Sequence, residues 1–197
     1  VVLACEGGTF FSGADIGEFS GPPQEEAYRR LFGRLEQLDV PVVAAMHGTV
    51  MGGGLEIALA CHYRVAAPRT RFGLPEVTLG MMPGAGGTQR LPRLIPFDRA
   101  LEMMRTAKPI NGATGLELGL ISEEVDGDLA DRAVELVNEY ASGKTELKRI
   151  NRDPVEGVPD KAPELDLGHL STKIDEILCN TIIEGCKKPL RDGLKLE

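Results

Sequence analysis

Val42-Val43-Ala44-Ala45-Met46-His47-Gly48-Thr49-Val50-Met51-Gly52-Gly53-Gly54-Leu55-Glu56-Ile57-Ala58-Leu59-Ala60-Cys61 is the stretch on which the fold turns. Its opening apolar run predicts a short buried strand over 42–46. The glycines at 48 and 52–54 predict a loop, and 55–61 then reads as an apolar helix. Strand, glycine loop and helix in so few residues is a unit of an α/β fold with largely parallel pairing. A glycine run at a helix start leaves backbone N–H groups unpaired and pointing outward, with the helix dipole behind them. Such a place favours a developing negative charge on an oxygen. A glycine turn that merely packs strand against helix explains the run equally well. Glu56 stands one turn into an otherwise apolar helix, so it should be exposed, paired or functional.

Upstream, residues 1–5 suit a buried strand ended by Glu6-Gly7-Gly8. Residues 10–16 form a glycine-containing loop and 17–23 a soft connector. From Gln24 the pattern turns helical, with Ala27, Leu31, Leu35 and Leu38 as its apolar side and Pro41 closing it. Downstream, 64–67 and 71–72 are short strand candidates, and 76–87 reads as loop. Helices are predicted over 88–94, 98–106 and 112–118, and a last strand over 120–125. The character changes after Asp126, dividing the chain into a core, 1–126, and a helical region, 127–197. In the latter, an amphipathic helix over 128–140 carries Leu129, Ala133, Leu136, Val137 and Tyr140 on one side. Ten of the 21 positions over 144–164 are charged and three are proline, which predicts a solvated connector. Helical spacing resumes over 169–188 through Leu170, Ile174, Ile177, Leu178 and Ile182.

The 197 residues suffice for one sizeable core, and their 42% hydrophobic and 26% charged fractions are those of a globular chain. A net charge of −8 opposes unspecific binding to nucleic acid or an anionic membrane, while leaving room for a small anionic ligand. Cys5, Cys61, Cys179 and Cys186 show neither CxxC spacing nor grouping with histidine, which points to free thiols in a reducing compartment. No apolar run approaches the roughly 20 residues of a membrane span. The chain opens on Val1-Val2-Leu3-Ala4 like a strand already under way, so further sequence is expected ahead of it.

A second glutamate, Glu76, lies twenty residues beyond Glu56, in Phe72-Gly73-Leu74-Pro75-Glu76. Two carboxyl groups held near one reacting carbon divide acid and base work between them. In Phe11-Ser12-Gly13-Ala14-Asp15-Ile16, Gly13 lets the chain turn, and Asp15 reads most simply as an Asx turn or cap. The functional alternative aims the Ala14 N–H at the same oxygen as the Gly53 N–H. Gly84-Ala85-Gly86-Gly87 lacks both the Lys-Ser/Thr of a P-loop and the preceding strand of a dinucleotide turn. His47, His62 and His169 are isolated and read as structural or surface residues. Arg69, Arg71, Arg90 and Arg93 read as ordinary ion-pair formers, one of which could meet a ligand phosphate.

Taken together, four segments resemble the enoyl-CoA hydratase/isomerase (crotonase) family. They are Phe11 to Ile16; His47-Gly48 with Gly52-Gly53-Gly54-Leu55-Glu56; Phe72-Gly73-Leu74-Pro75-Glu76; and Pro83-Gly84-Ala85-Gly86-Gly87-Thr88-Gln89-Arg90-Leu91. Each is weak alone, and their order and spacing make the joint signal specific. The likeness is close to about residue 125 and looser beyond, where the chain looks most like the hydratase part of multifunctional β-oxidation enzymes. The resemblance implies a spiral of repeated ββα units with a C-terminal helical region. It implies hydration of a trans-2-enoyl-CoA to a 3-hydroxyacyl-CoA, with Glu56 and Glu76 as the catalytic pair. Ala14 and Gly53 would form the oxyanion hole, Gly84 would orient the water, and Gly13, Asp15 and Ile16 would line the substrate. No metal and no redox cofactor is implied, the acyl-CoA being the substrate. The implied assembly is a trimer or dimer of trimers, or a link to a dehydrogenase part. The implied location is the cytoplasm of a bacterium, or otherwise the mitochondrial matrix or peroxisome. Δ3,Δ2-enoyl-CoA isomerisation and silent acyl-CoA binding are the alternatives. Two positions depart from the family pattern: Leu74 stands where some hydratases carry a polar residue, and Phe11 where a small one is usual.

Overall fold

The computed structural model describes residues 1–13, 17, 25–144, 146–167 and 171–190. In chain order the elements are β1 (Val2–Leu3), α1 (Glu25–Glu36), β2 (Val43–Met46), β3 (Thr49–Met51) and α2 (Gly53–Leu59). Then come β4 (Tyr63–Ala66), β5 (Arg71–Gly73), α3 (Gly87–Arg90), α4 (Phe97–Thr106), β6 (Ile110–Asn111), α5 (Gly112–Leu118), β7 (Glu123–Glu124), α6 (Leu129–Ala141) and α7 (Thr172–Cys186). Short 3₁₀ helices fill Glu76–Leu79 and Leu91–Arg93.

The apolar run 42–46 forms a strand buried along its whole length, hydrogen-bonded in parallel to β1 on one side and β4 on the other. Strands buried on both faces read as continuous apolar runs, which is what made this one legible. The expected loop after it holds a further strand, β3. Gly48 adopts φ 64°, and a Cβ there would run into the Gly8 carbonyl, so the chain can break sharply out of β2. Thr9 then fixes Thr49 through its hydroxyl, which accepts from the Thr49 N–H and donates to the Thr49 carbonyl, both at 2.7 Å.

The same step recurs one turn on, where β4 leads into β5. The first strand of each turn joins the sheet β1-β2-β4-β7, which is parallel throughout. The second joins the sheet β3-β5-β6, in which only the β5–β6 pair is antiparallel. A helix follows each pair, so the chain winds as a spiral of ββα turns. Leu55, Ala58 and Leu59 of α2 are fully buried in the core between the layers, each leucine contributing about 1.5–3 kcal/mol.

The C-terminal helices cover two faces of this spiral. Asp128 caps α6 by accepting from the Asp131 N–H at 3.0 Å, and Ala133 and Leu136 pack on Val43, Ala45, Tyr63 and Val65. Tyr140 stacks on Tyr63 with ring centroids 3.9 Å apart. The buried face of α7 carries Leu178, Cys179, Ile182 and Cys186 into the main core. It is pinned by a bidentate buried pair in which Arg105 of α4 bonds Asp175 at 2.6 and 2.7 Å.

Two further expectations change. The buried side of α1 is Phe32 and Glu36, with Tyr28 and Leu35 packed beside it, while Leu31 and Leu38 are exposed at 56% and 39%. The helix is rotated because Glu36 enters the interior to meet Arg90 at 2.8 Å. The charged segment 146–167 has neither helix nor strand, yet it is tied down rather than loose. Ile150 is buried and Val155, Val158 and Ala162 pack on the main core. The Val155 N–H bonds the Cys186 carbonyl at 2.8 Å, and Arg105 bonds the Pro163 carbonyl at 2.7 Å.

Candidate functional site

Glu56 lies on the first turn of α2, in a helix too apolar to leave it in solvent, and is 3% exposed. Its Oε1 accepts two main-chain hydrogen bonds, from the Ala85 N–H at 2.9 Å and the Gly87 N–H at 2.7 Å. The first donor lies in the glycine loop ahead of α3 and the second is the first residue of α3 itself. Gly86 adopts φ 113°, which lets two N–H groups one residue apart converge on a single oxygen. At Gly87 a Cβ would lie 3.0 Å from both Glu56 Oε1 and Pro83 Cβ, so any larger residue must push those neighbours back. Burial raises the Glu56 carboxyl pKa, while these two bonds and the charges of Arg90 and Arg29 pull it back.

Glu76 opens the 3₁₀ helix after Leu74-Pro75 and faces the same place from the next turn of the spiral. A Cβ on Gly52 would sit 3.4 Å from Glu76 Oε1 and 3.7 Å from Gly13 Cα. Glu76 Oε2 is buried with no hydrogen-bond partner among the described residues. Burial first, and the nearby Glu56 charge second, push its pKa up to about 8. The two carboxyls therefore form a graded pair. Glu56 has two N–H donors and two guanidinium charges to hold a negative charge, whereas Glu76 Oε2 has no partner among the described residues, an arrangement that favours the charge on Glu56 and the proton on Glu76.

The opposite wall is main chain. The loop before Gly13 passes over the start of α2, where a Cβ on Gly54 would overlap the Phe11 carbonyl. The Met51 N–H reaches that same carbonyl at 3.4 Å. The helix bonds to Gly52 begin only at the Leu55 and Glu56 N–H groups, at 2.9 and 3.0 Å. Among the described residues the Gly53 N–H is thus one of the unclaimed donors of the first turn. Ala14, Asp15 and Ile16 lie outside the described residues, and so does His169.

The structure thus brings Glu56, Glu76, Gly13 and the Gly52–Gly54 run into one place. Gly84 sits in the loop that holds Glu56, but the N–H groups that grip the carboxylate are those of its neighbours Ala85 and Gly87. Sequence reasoning missed those two donors, for which glycine density was the available signal. Of the arginines, Arg90 does form an ion pair, with Glu36, whereas Arg93 bonds the carbonyls of Gln89, Gly185 and Lys188. The four cysteines are free. Among the described residues no three His, Cys, Asp or Glu side chains gather as a metal site, and no helix is long and apolar enough to cross a membrane.

The model of the enoyl-CoA hydratase/isomerase family matches residues 1–162. The chain belongs to the enoyl-CoA hydratase/isomerase family. Its relatives include the peroxisomal bifunctional enzyme of Danio rerio, 46% identical over 77% of this chain and 21% of that protein. Another is the fatty acid oxidation complex subunit alpha of Shewanella amazonensis, 37% identical over 100% of this chain and 31% of that protein. Among solved structures, an enoyl-CoA hydratase from Bacillus anthracis superposes with a TM-score of 0.66 at 40% identity, covering 72% of this chain and 58% of that one. The chain thus spans between one fifth and one third of the two curated relatives. The likeness to solved hydratases bears out the crotonase-type spiral expected from the sequence.

Proposed function

We propose that this chain forms the hydratase part of a fatty-acid β-oxidation enzyme and adds water to trans-2-enoyl-CoA. The observation that carries the proposal is the graded carboxyl pair, one member held ready to accept a proton and the other to give one. The thioester oxygen lies against the Gly53 and Ala14 N–H groups, with Gly13, Asp15 and Ile16 beside the substrate. Glu56 takes a proton from water, which Gly84 orients through its N–H. The hydroxide attacks the β-carbon while the π electrons move through the α-carbon to the thioester oxygen. As the enolate collapses, the α-carbon takes the proton of Glu76. Passing the proton from Glu56 back to Glu76 resets the pair, and the two carboxyls carry every transfer, so the reaction calls for no metal or redox cofactor.

The relatives named bifunctional enzyme and oxidation-complex subunit support a chain linked to a dehydrogenase part. The same names support a peroxisomal or bacterial setting. The test is loss of conjugated-thioester absorbance on adding crotonyl-CoA to the full-length enzyme. Glu56→Gln and Glu76→Gln each lower kcat by at least two orders of magnitude without unfolding the protein. Binding without turnover in the wild type would assign the chain to silent acyl-CoA binding. A shifted double bond from 3-enoyl-CoA without hydrated product would assign it to isomerisation.

A further inference from the structure

The glycine loop that holds Glu56 is itself held from behind. Its two donating peptides, ending at Ala85 and Gly87, flank the Ala85 carbonyl, which points the other way. That carbonyl accepts from Arg90 Nη1 at 3.0 Å. Arg90 Nε in turn bonds Glu36 Oε2 at 2.8 Å, and Glu36 Oε1 meets Arg152 Nη1 at 3.4 Å. Arg90 and Glu36 are 2% and 6% exposed. A buried ion pair of this kind seldom repays its desolvation in stability alone, so its geometry calls for another explanation. Glu36 also accounts for the rotation of α1, which leaves Leu31 and Leu38 in solvent so that one carboxylate can reach the loop.

We propose that Glu36 and Arg90 are positioning residues for Glu56: they clamp the Ala85 carbonyl, and so aim the Ala85 and Gly87 N–H groups at the carboxylate that accepts the proton from water. The role rests on the hydratase reading of the pair, but the clamp acts on Glu56 whether or not the enzyme hydrates. Charged groups facing Glu56 are Arg90 on α3, Arg29 on α1 and Glu76. Those facing Glu36 besides Arg90 are Arg152, across 3.4 Å, and Arg93 on the neighbouring 3₁₀ helix. A bystander pair of opposite charges would act on Glu56 through space, with opposite sign from its two ends. A clamp fails in the same sense from either end, because both breaks let the Ala85 and Gly87 N–H groups drift from the carboxylate.

The test follows the Glu56 carboxyl in the full chain by carbon-13 NMR of protein labelled at glutamate Cδ, its resonance assigned by its loss in Glu56→Gln. Arg90→Gln and Glu36→Gln both raise the Glu56 pKa, the first by roughly one or more, because each frees the Ala85 carbonyl and with it the two N–H groups that stabilise the carboxylate. In both variants kcat for crotonyl-CoA falls about tenfold while KM moves less than threefold. Arg90→Lys keeps the charge without the two-point grip, so it too raises the Glu56 pKa and lowers kcat. That variant and Glu36→Gln carry the test if Arg90→Gln does not fold. An unmoved Glu56 titration in both glutamine variants, or shifts of opposite sign as through-space charge alone would give, overturns the proposal. A wild type that never hydrates crotonyl-CoA, with the shared upward shift intact, would sink the hydratase reading and keep the clamp.

Discussion

Replacing Glu76 by glutamine removes a costly proton equilibrium from the site. The folded protein holds the Glu76 proton up to a pKa of about 8, against an ordinary value of 4.5. Between those values the unfolded chain has released the proton and the native state has not. The native state therefore binds more protons, and stability falls as pH rises through the window. Each unit of pKa difference is 1.36 kcal/mol, so the wild type gives up roughly 3–4 kcal/mol through this group between pH 5 and 8. Glu76→Gln has no proton to lose, and its stability is flatter with pH by that amount. The assay is urea unfolding at half-unit steps over the range, with wild type and variant compared at each step. Any fixed offset from the new amide cancels in the slope, as do the contributions of common groups that do not couple to Glu76; Glu56, which does, is followed separately. Parallel stability–pH curves for the two proteins would refute the reasoning.

Three further outcomes are expected. Gly54→Ala drives a methyl group into the Phe11 carbonyl, which costs about 1–3 kcal/mol of stability. It also lifts the loop from the Gly53 N–H, so crotonyl-CoA turnover falls more than tenfold, as steady-state kinetics will show. Arg105→Leu leaves Asp175 buried without its partner at a cost of about 3–5 kcal/mol, and adding Asp175→Leu recovers most of it, measured as a double-mutant cycle in urea. Burial first, then the Arg149 and Arg64 charges, hold His62 below its ordinary 6.5. The protein thus loses stability as pH falls below about 6.5, and His62→Asn flattens that acid limb in the same unfolding assay.

What the sequence disclosed follows from how each feature is written in it. The buried strand 42–46 and the core-facing side of α6 are runs or stripes of apolar residues, and both were readable. That the two glutamates come to one place was signalled by the glycines around them, where backbone passes close to each carboxyl. The side of α1 that turns inward was not, because an apolar count cannot foresee that Glu36 goes inside to meet Arg90, 54 residues away. The donors to Glu56 were missed for a related reason, since a backbone N–H carries no side-chain signature. The segment 146–167 misled through its charge, since its main-chain bonds to Cys186 and Arg105 leave no trace in composition.

Those attachments share a property. Arg105 takes the carbonyl of Pro163, Arg93 those of Gly185 and Lys188, and Arg149 those of Glu36 and Leu38. Every residue type offers the same carbonyl, so these bonds leave the receiving side chains unconstrained while the guanidinium groups stay; Glu36 is held separately, by the bond of its carboxylate to Arg90. Descendants of this chain could rewrite most of the strap letter by letter and still fasten it, as long as the arginines and the path of the backbone are inherited.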